Sequence, residues 1–382
     1  MVTALAAGAT VTHAADAQSI TAGGGVSARF GYSDNPYLGV GSAGATAVAG
    51  GSVNAWLQHR SEKSTTRLAG IADLDQNFQN YGLAENYLVT LDHQQTFSAR
   101  LSGSAQLRFQ DSINPRNFSS DDTTGVDTPN VDLLSIGQRS RTIGGSGTLQ
   151  WAPTSRDSFY IGPQYSRTTY PSSNASDFET YGLRGGYMRS VNAKMKVGLD
   201  LAVQRVKSDG FGTSTSYQGG VRLIYDFSPI WQFDGNVGLI HQTSSFGGSS
   251  NTPGFSARVC GKYPRYRVCF EGSRQSAASG FGGLRTDNRV STSLDYDLST
   301  RSHLRFGAVY DVSQSRGFSS IPTQKYYEVS SGYSRTLTDR LSAGFSGRYQ
   351  YRDFGNIVGV DDSTVTGYAV TFDIGYKFGR LD

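Results

Sequence analysis

The chain has 382 residues, a formal net charge of +4 and only 37% hydrophobic residues, although aromatic residues make up 12%. A soluble protein of this length ordinarily carries more Leu, Ile and Met in its cores, whereas here Gly (47), Tyr (22) and Phe (20) are prominent and Met numbers three. No segment offers the roughly 18 consecutive apolar residues of a membrane-spanning helix, which excludes a helical membrane protein. The modest charge, without a basic run, argues against a nucleic-acid ligand.

Residues 1–15 have the composition of the end of a secretory signal peptide. They are apolar and rich in small residues, and Thr12-His13-Ala14 is a suitable cleavage site before Ala15. The positively charged region that should precede them is absent from this sequence. We predict a signal peptide over residues 1–15 that lacks its own start, with a disordered mature N-terminus as the alternative.

Residues 20–378 are predicted to form β-strands, because large apolar residues recur at every second position. The last strand is the clearest, since every second residue from Tyr368 to Phe378 is large and apolar. We count about eighteen alternating segments of about 9–14 residues, the length that a tilted strand needs to cross a membrane. Further clear examples are 97–109, 195–203, 217–227, 231–239 and 341–351. Sixteen strands are the alternative, because residues 43–51 are of low complexity.

The predicted connections alternate between short turns and long polar loops. The short turns lie near 60–63, 97–98, 153–156, 191–193, 228–229, 264–265, 299–301 and 337–339. The long loops lie near 34–46, 75–84, 112–138, 170–178, 207–213, 244–253, 275–287, 315–323 and 353–363. Nine long and eight short connections predict eighteen strands with both termini on the short-turn, periplasmic side. Because an open sheet edge cannot exist in hydrocarbon, we predict an all-β, transmembrane antiparallel up-and-down β-barrel, followed by a short tail at 379–382.

Cys260 and Cys269 are predicted to form a cross-strand disulfide. With a two-residue turn at Pro264-Arg265, position 260 faces position 269 in a non-hydrogen-bonded pair, where Cα atoms approach most closely. The periplasm is oxidising, which favours the bond. The alternative is a pair of reduced neighbours, or a longer turn that shifts the register.

The alternation also places charged side chains on the water-filled face of the predicted barrel. Basic residues outnumber acidic residues there, and a surplus of arginine favours anions over cations in an aqueous path. The alternative is that Arg–Asp ladders only brace the wall. The candidate lumen residues are Arg29, Arg67, Arg100, Arg108, Arg184, Arg222, Arg258, Arg289, Arg305 and Arg348.

The longest predicted loop, 112–138, is the third external one, and it either folds inward to narrow the channel or is a mobile surface loop. Its aspartates do not match the spacing of an EF-hand, so no metal is predicted.

No catalytic motif is evident. His93 and His241 could project outward, but neither has a convincing serine partner at the same height for a lipase-like site. We therefore predict that the chain is not an enzyme and has no cofactor.

Residues 31–37 (GYSDNPY), which enter the first external loop, and 375–378 (GYKF) carry a resemblance over about residues 20–378. The chain resembles the β-barrel porin families of Gram-negative bacteria, in particular barrels found with exopolysaccharide assembly systems in α-proteobacteria. In such barrels the terminal aromatic-x-aromatic pair, here Tyr376 and Phe378, is the signal for insertion. The tail at 379–382 departs from the family, whose members usually end on the aromatic residue itself.

The resemblance implies a localisation in the bacterial outer membrane. Alginate-export barrels have eighteen strands and an arginine-rich lumen, so we expect an outer-membrane channel that exports exopolysaccharide. The alternatives are a general or solute-specific uptake porin, and a structural or adhesive surface barrel without an open pore. The implied partners are outer-membrane lipid and lipopolysaccharide, the barrel-assembly machinery and, for export, periplasmic polysaccharide-export components.

Overall fold

A computed structural model describes residues 19–39, 44–79, 81–113, 137–171, 175–245, 248–279, 283–315, 322–355 and 364–379. These residues form eighteen β-strands. The strands are β1 (Ser19–Asp34), β2 (Ala45–Arg60), β3 (Ser64–Asn77), β4 (Gly82–Ser98), β5 (Leu101–Ser112), β6 (Ser140–Trp151), β7 (Asp157–Thr169), β8 (Phe178–Ser190), β9 (Met195–Ser208), β10 (Gly212–Asp226), β11 (Trp231–Ser244), β12 (Gly248–Lys262), β13 (Tyr266–Ser279), β14 (Gly283–Ser299), β15 (Ser302–Ser315), β16 (Gln324–Thr336), β17 (Leu341–Asp353) and β18 (Thr364–Gly379). Within the described ranges, no helix is long and apolar enough to cross a membrane.

The sheet is closed by the pairing of its first and last strands. Each strand pairs antiparallel with its neighbours in the chain, and β1 pairs with both β2 and β18. In the closing ladder, Val26 opposes Tyr376 and Tyr32 opposes Val370. The predicted all-β antiparallel barrel of eighteen strands is therefore confirmed, and the alternative of sixteen strands is wrong.

Apolar side chains cover the outside of the barrel instead of filling a core. Directly opposed residues of an antiparallel pair point to the same face of the sheet, so the register sorts every strand into outward and lumen positions. The outward residues Leu239, Val237 and Leu201 are 68%, 65% and 64% exposed. The lumen positions between them are mostly polar or charged, and a buried apolar cluster lies at the loop end of the strands.

Several predicted connections differ from the structure. Four predicted long loops are connections of only three or four residues, at 78–81, 209–211, 245–247 and 280–282. The strands continue past the outward apolar band, where a regular alternation of hydrophobicity no longer marks them. The predicted strand 97–109 is also wrong at its start, because β4 ends at Ser98 and β5 begins at Leu101. The predicted signal peptide, most of loop 112–138 and the tail beyond Gly379 lie outside the described residues.

The predicted disulfide is confirmed in the predicted register. Cys260 opposes Cys269, their Cα atoms are 4.2 Å apart, and the two residues are bonded. The Tyr263 N–H donates to the Tyr266 carbonyl at 2.8 Å and closes the two-residue turn. The bond lies on the lumen face near the short-turn end of the barrel, in line with Arg258 and Glu271.

Removing this disulfide should lower stability without opening the barrel. The bond closes a segment of sequence separation nine, for which chain entropy gives about 2–3 kcal/mol. We expect the C260S/C269S variant to remain a folded barrel but to lose its heat-resistant migration in SDS gels at a lower temperature. Reductant should shift the natural chain in the same way and leave the variant unchanged. A response of the variant to reductant would show that the stability change does not come from the Cys260–Cys269 bond.

Candidate functional site

Four of the predicted lumen arginines are held by carboxylates of the barrel wall. Arg29 contacts Asp75 at 3.0 Å and Asp73 at 3.3 Å. The other three pairs, with N–O distances of 2.7 to 3.0 Å, are Arg222–Asp234, Arg258–Glu271 and Arg305–Asp295. Each pair joins neighbouring or next-neighbouring strands, so these arginines brace the wall, as one of the two alternatives expected.

Other predicted lumen arginines have no such partner in the part of the chain that the structure describes. No carboxylate of the described residues lies within 4 Å of Arg67, Arg108, Arg184, Arg289 or Arg348. The Arg67 guanidinium lies 5.6 Å from the ring centroid of Trp56, and Arg108 donates to the Gln110 side chain at 2.7 Å. These cations occupy lumen positions of five different strands. Arg67 faces Asp92 and Arg289 faces Asp311 across their ladders, which offsets part of their charge. The charge that is most available to a solute in the lumen is therefore that of Arg108, Arg184 and Arg348.

The position of Arg100 was predicted wrongly. It lies in the turn between β4 and β5, outside the strand in which the alternation placed it, and its N–H donates to the Ser98 hydroxyl at 3.2 Å. Conversely, Asp75 and Asp287 lie in strands on the lumen side, although the sequence placed them in loops. Asp75 follows Asp73 by two residues, with the outward Leu74 between them, and this alternation could have identified Asp75. The surplus of positive charge in the lumen is thus smaller than predicted.

The wall is split between β12 and β13 at the loop end. The β12–β13 ladder stops where Phe255 opposes Arg274, while residues 248–254 still pair with β11 and residues 275–279 still pair with β14. Odd-numbered residues of β12 point their N–H groups at β13, as Tyr263 does in the turn. Pro253 would be the next donor, and proline has no N–H. The ladder therefore ends where its next hydrogen bond cannot form.

Beyond this split, residues 275–279 and 283–287 fold into the lumen as one unit, which we call the inward hairpin. The Gln242 side chain on the lumen face of β11 donates to the Ser276 hydroxyl at 2.8 Å. A Cβ on Gly283 would lie 2.6 Å from the Ser214 hydroxyl oxygen of β10. Leu284 packs into the buried cluster with Tyr170, Ala175, Phe178 and Val206. The hairpin thus lies against the inner face of β8 to β11 and narrows the mouth of the barrel on that side.

The inward hairpin also carries a buried ion pair. Arg285 is 1% exposed, and its Nε donates to the two carboxylate oxygens of Asp287 at 2.8 and 2.9 Å. Burying two charges carries a desolvation cost, which the contact of Nε with both carboxylate oxygens partly offsets. Asp311, which is 6% exposed, lies on the adjacent strand β15.

The predicted insertion signal lies at the short-turn end of β18. Tyr376 opposes Val26 and Leu341, and its hydroxyl accepts a hydrogen bond from Arg340 at 3.5 Å. Phe378 opposes Gly24. Both aromatic side chains are exposed on the outside, where another protein or lipid can contact them. Their role in insertion stays a prediction.

No protein-family model and no curated protein sequence match the chain. Solved structures resemble it over nearly its whole length. The siderophore receptor PirA from Pseudomonas aeruginosa matches with 11% identity and a TM-score of 0.47, over 96% of this chain and 81% of that chain. Pseudomonas aeruginosa OpdQ matches with 10% identity and a TM-score of 0.47, over 94% and 98%. OmpT, an outer membrane protein of Vibrio cholerae, matches as its loop L8 deletion mutant with 11% identity and a TM-score of 0.43, over 95% and 100%.

Engineered disulfides can establish the position of the inward hairpin. In the structure Gln242 and Ser276 are in contact, so the Q242C/S276C pair should cross-link under mild oxidation. The T252C/A277C pair is the matched control, because those residues would oppose each other only if the β12–β13 ladder continued past Pro253. Thiol labelling and mass spectrometry report both pairs. Cross-linking of the control pair alone would show a continuous wall and overturn the split.

Proposed function

We propose that the chain is a passive outer-membrane channel for hydrophilic anions, with its termini and short turns in the periplasm. The observation that supports it is the set of lumen arginines without a carboxylate partner among the described residues. Arg108, Arg184 and Arg348 lie well inside their strands, on three separate parts of the wall. A solute that crosses the barrel therefore passes uncompensated positive charge.

The outer surface supports the placement in a membrane. Exposed apolar side chains cover strands all around the barrel, which is unfavourable in water and expected against lipid. Ring pairs such as Tyr165–Tyr181 and Tyr327–Tyr349 lie toward the loop ends, while Tyr266–Tyr296 lies toward the short turns. Tyrosines at two levels are typical of the interfaces on either side of a bilayer.

The electrostatic effect of one unpaired arginine can be bounded. A charge about 7 Å from a monovalent ion in a water-like dielectric contributes about 0.6 kcal/mol, a factor of about three in occupancy, before screening by salt. The occupancy factors of several such charges multiply. Paired arginines such as Arg258 contribute little, because Glu271 cancels their field at that distance.

For the solute we propose export of an anionic or neutral exopolysaccharide, whose repeating units would meet the unpaired arginines in succession. Uptake of small anionic solutes is a second candidate, favoured by the inward hairpin, which occupies part of the mouth that a polymer would need. Passage in either direction needs no catalytic group, so the proposal includes no enzymatic activity. Periplasmic export components and the barrel-assembly machinery are the partners that the export proposal requires.

Neutralising the unpaired arginines should reduce anion selectivity. We expect the R108Q/R184Q/R348Q variant to lower the anion-to-cation permeability ratio by up to about sevenfold for each removed charge at low salt, because each charge raises anion occupancy and lowers cation occupancy by about threefold. Reversal potentials across planar bilayers under a salt gradient provide the measurement. Lys325→Gln is the control, since that cation lies outside the barrel and pairs with Asp353. A closed or cation-selective natural barrel would contradict the proposal, and block by acidic oligosaccharides would favour export.

Removing the inward hairpin should widen the channel. Replacing residues 277–285 by a short Gly-Ser turn deletes Leu284 and the Arg285 ion pair but keeps the ladder below Arg274. We expect larger single-channel conductance and passage of larger uncharged solutes in liposome-swelling assays. An unchanged conductance would show that the constriction lies elsewhere. Leu284→Ala is a milder variant that loosens the same contact.

A further inference from the structure

A group of outward-facing cations lies at the loop end of β6 to β9. Arg141, Arg167, Arg205 and Lys207 occupy outward positions, because they share the face of Ile143, Tyr165, Val203 and Tyr181 in the register of these strands. All four side chains are exposed. We call them the exterior cationic patch.

Much of the charge of this patch is not neutralised. Arg141 contacts the buried Asp111 carboxylate at 2.7 Å, which Arg139 shares, and Arg167 approaches Glu179 only to 3.9 Å. Within the described part of the chain, no carboxylate lies within 4 Å of Arg205 or Lys207, although Glu179 opposes Lys207 across the β8–β9 ladder. By contrast, the outward cation Lys325 on β16 pairs with Asp353 at 3.5 Å.

The patch lies directly above tyrosines and exposed leucines. Arg205 opposes Tyr181, whose ring lies 5.1 Å from that of Tyr165, and such tyrosines mark the level of lipid headgroups. Toward the short turns on the same outward face, Leu201 is 64% exposed and Leu199 is 55% exposed. A ligand along this surface therefore needs an anionic head at the level of Arg205 and Lys207 and apolar chains below it.

We propose that the exterior cationic patch binds the phosphate groups of a phosphorylated glycolipid in the outer leaflet, with acyl chains along the leucines of β8 and β9. Phosphate suits the patch because arginine donates paired hydrogen bonds to it and lysine adds a compact charge. A soluble anion fits less well, since these side chains face away from the lumen and stand over apolar surface. The inference rests on the proposed outer-membrane placement but not on conduction.

Lipid binding to the purified barrel in detergent tests the inference by native mass spectrometry. The probes are bisphosphorylated lipid A and its dephosphorylated counterpart, added to the natural chain and to the R205Q/K207Q variant. At about 1 kcal/mol for each basic residue near an anionic surface, the variant should bind lipid A roughly thirtyfold more weakly. Lys325→Gln is the matched control and should bind as the natural chain does, and heat-modifiable migration in gels verifies that each barrel is folded.

The outcomes distinguish a phosphate-dependent lipid site from lipid binding that does not need the phosphates and from a site for free phosphate. Equal binding of lipid A by the natural chain and the double variant, or equal binding of the dephosphorylated probe, would overturn the inference. Displacement of lipid A by millimolar inorganic phosphate alone would show a site for free phosphate instead of a lipid. Conductance is recorded on the same samples. Phosphate-dependent lipid binding by a barrel that does not conduct would refute the proposed channel and leave the lipid site standing.

Discussion

A strand that crosses hydrocarbon has to hydrogen-bond its backbone within the sheet, because lipid offers neither donors nor acceptors. The pairing of β1 with β18 meets this requirement by removing both edges of the sheet. The pleat of each strand directs alternate residues to opposite faces, and closure makes one face the apolar outside and the other the polar inside. The lumen charges, the exterior cationic patch and the tyrosines near the ends of the strands all follow from that separation.

Two prolines show how position decides whether a broken ladder matters. Pro163 lies within β7, where the β6–β7 ladder omits two opposed pairs and then resumes toward both ends. Pro253 lies near the loop end of β12, with only a few residues of the strand beyond it. The β12–β13 ladder does not resume there. The freed end of β13 and β14 instead finds Gln242, Ser214 and the cluster around Leu284 inside the barrel. The missing N–H donor at Pro253 is thereby linked to the shape of the barrel mouth.

The alternation of side chains along the strands gives the charged residues of the wall different roles. Arg258 and Arg305 are cancelled by facing carboxylates and stabilise strand pairs, whereas Arg184 and Arg348 keep their charge for the lumen. Arg205 and Lys207 have the opposite parity in their strand, which directs them to the outside. A shift of one residue in register would exchange these roles, and the outward apolar face makes such a shift unfavourable.

Much of the barrel could be predicted from local patterns. The alternation of apolar residues predicts the strands, and the disulfide follows because Cys260 and Cys269 lie symmetrically about a two-residue turn. Strand ends were predicted less well, since the alternation fades where strands leave the apolar band, and this hid Asp75 and Asp287. The turn position of Arg100 was missed for a similar reason, because a residue at a turn continues the parity of the strand beside it.

The sequence by itself determined the strands, their parity, the closing pair and the lumen side of most arginines, because each of these depends on spacing along the chain. Only the tertiary structure decided which arginines find a carboxylate, and that residues 275–279 and 283–287 turn inward. Those outcomes depend on distances between strands far apart in sequence, as between Ser214 and Gly283, and the residue spacing within one strand carries no information about them.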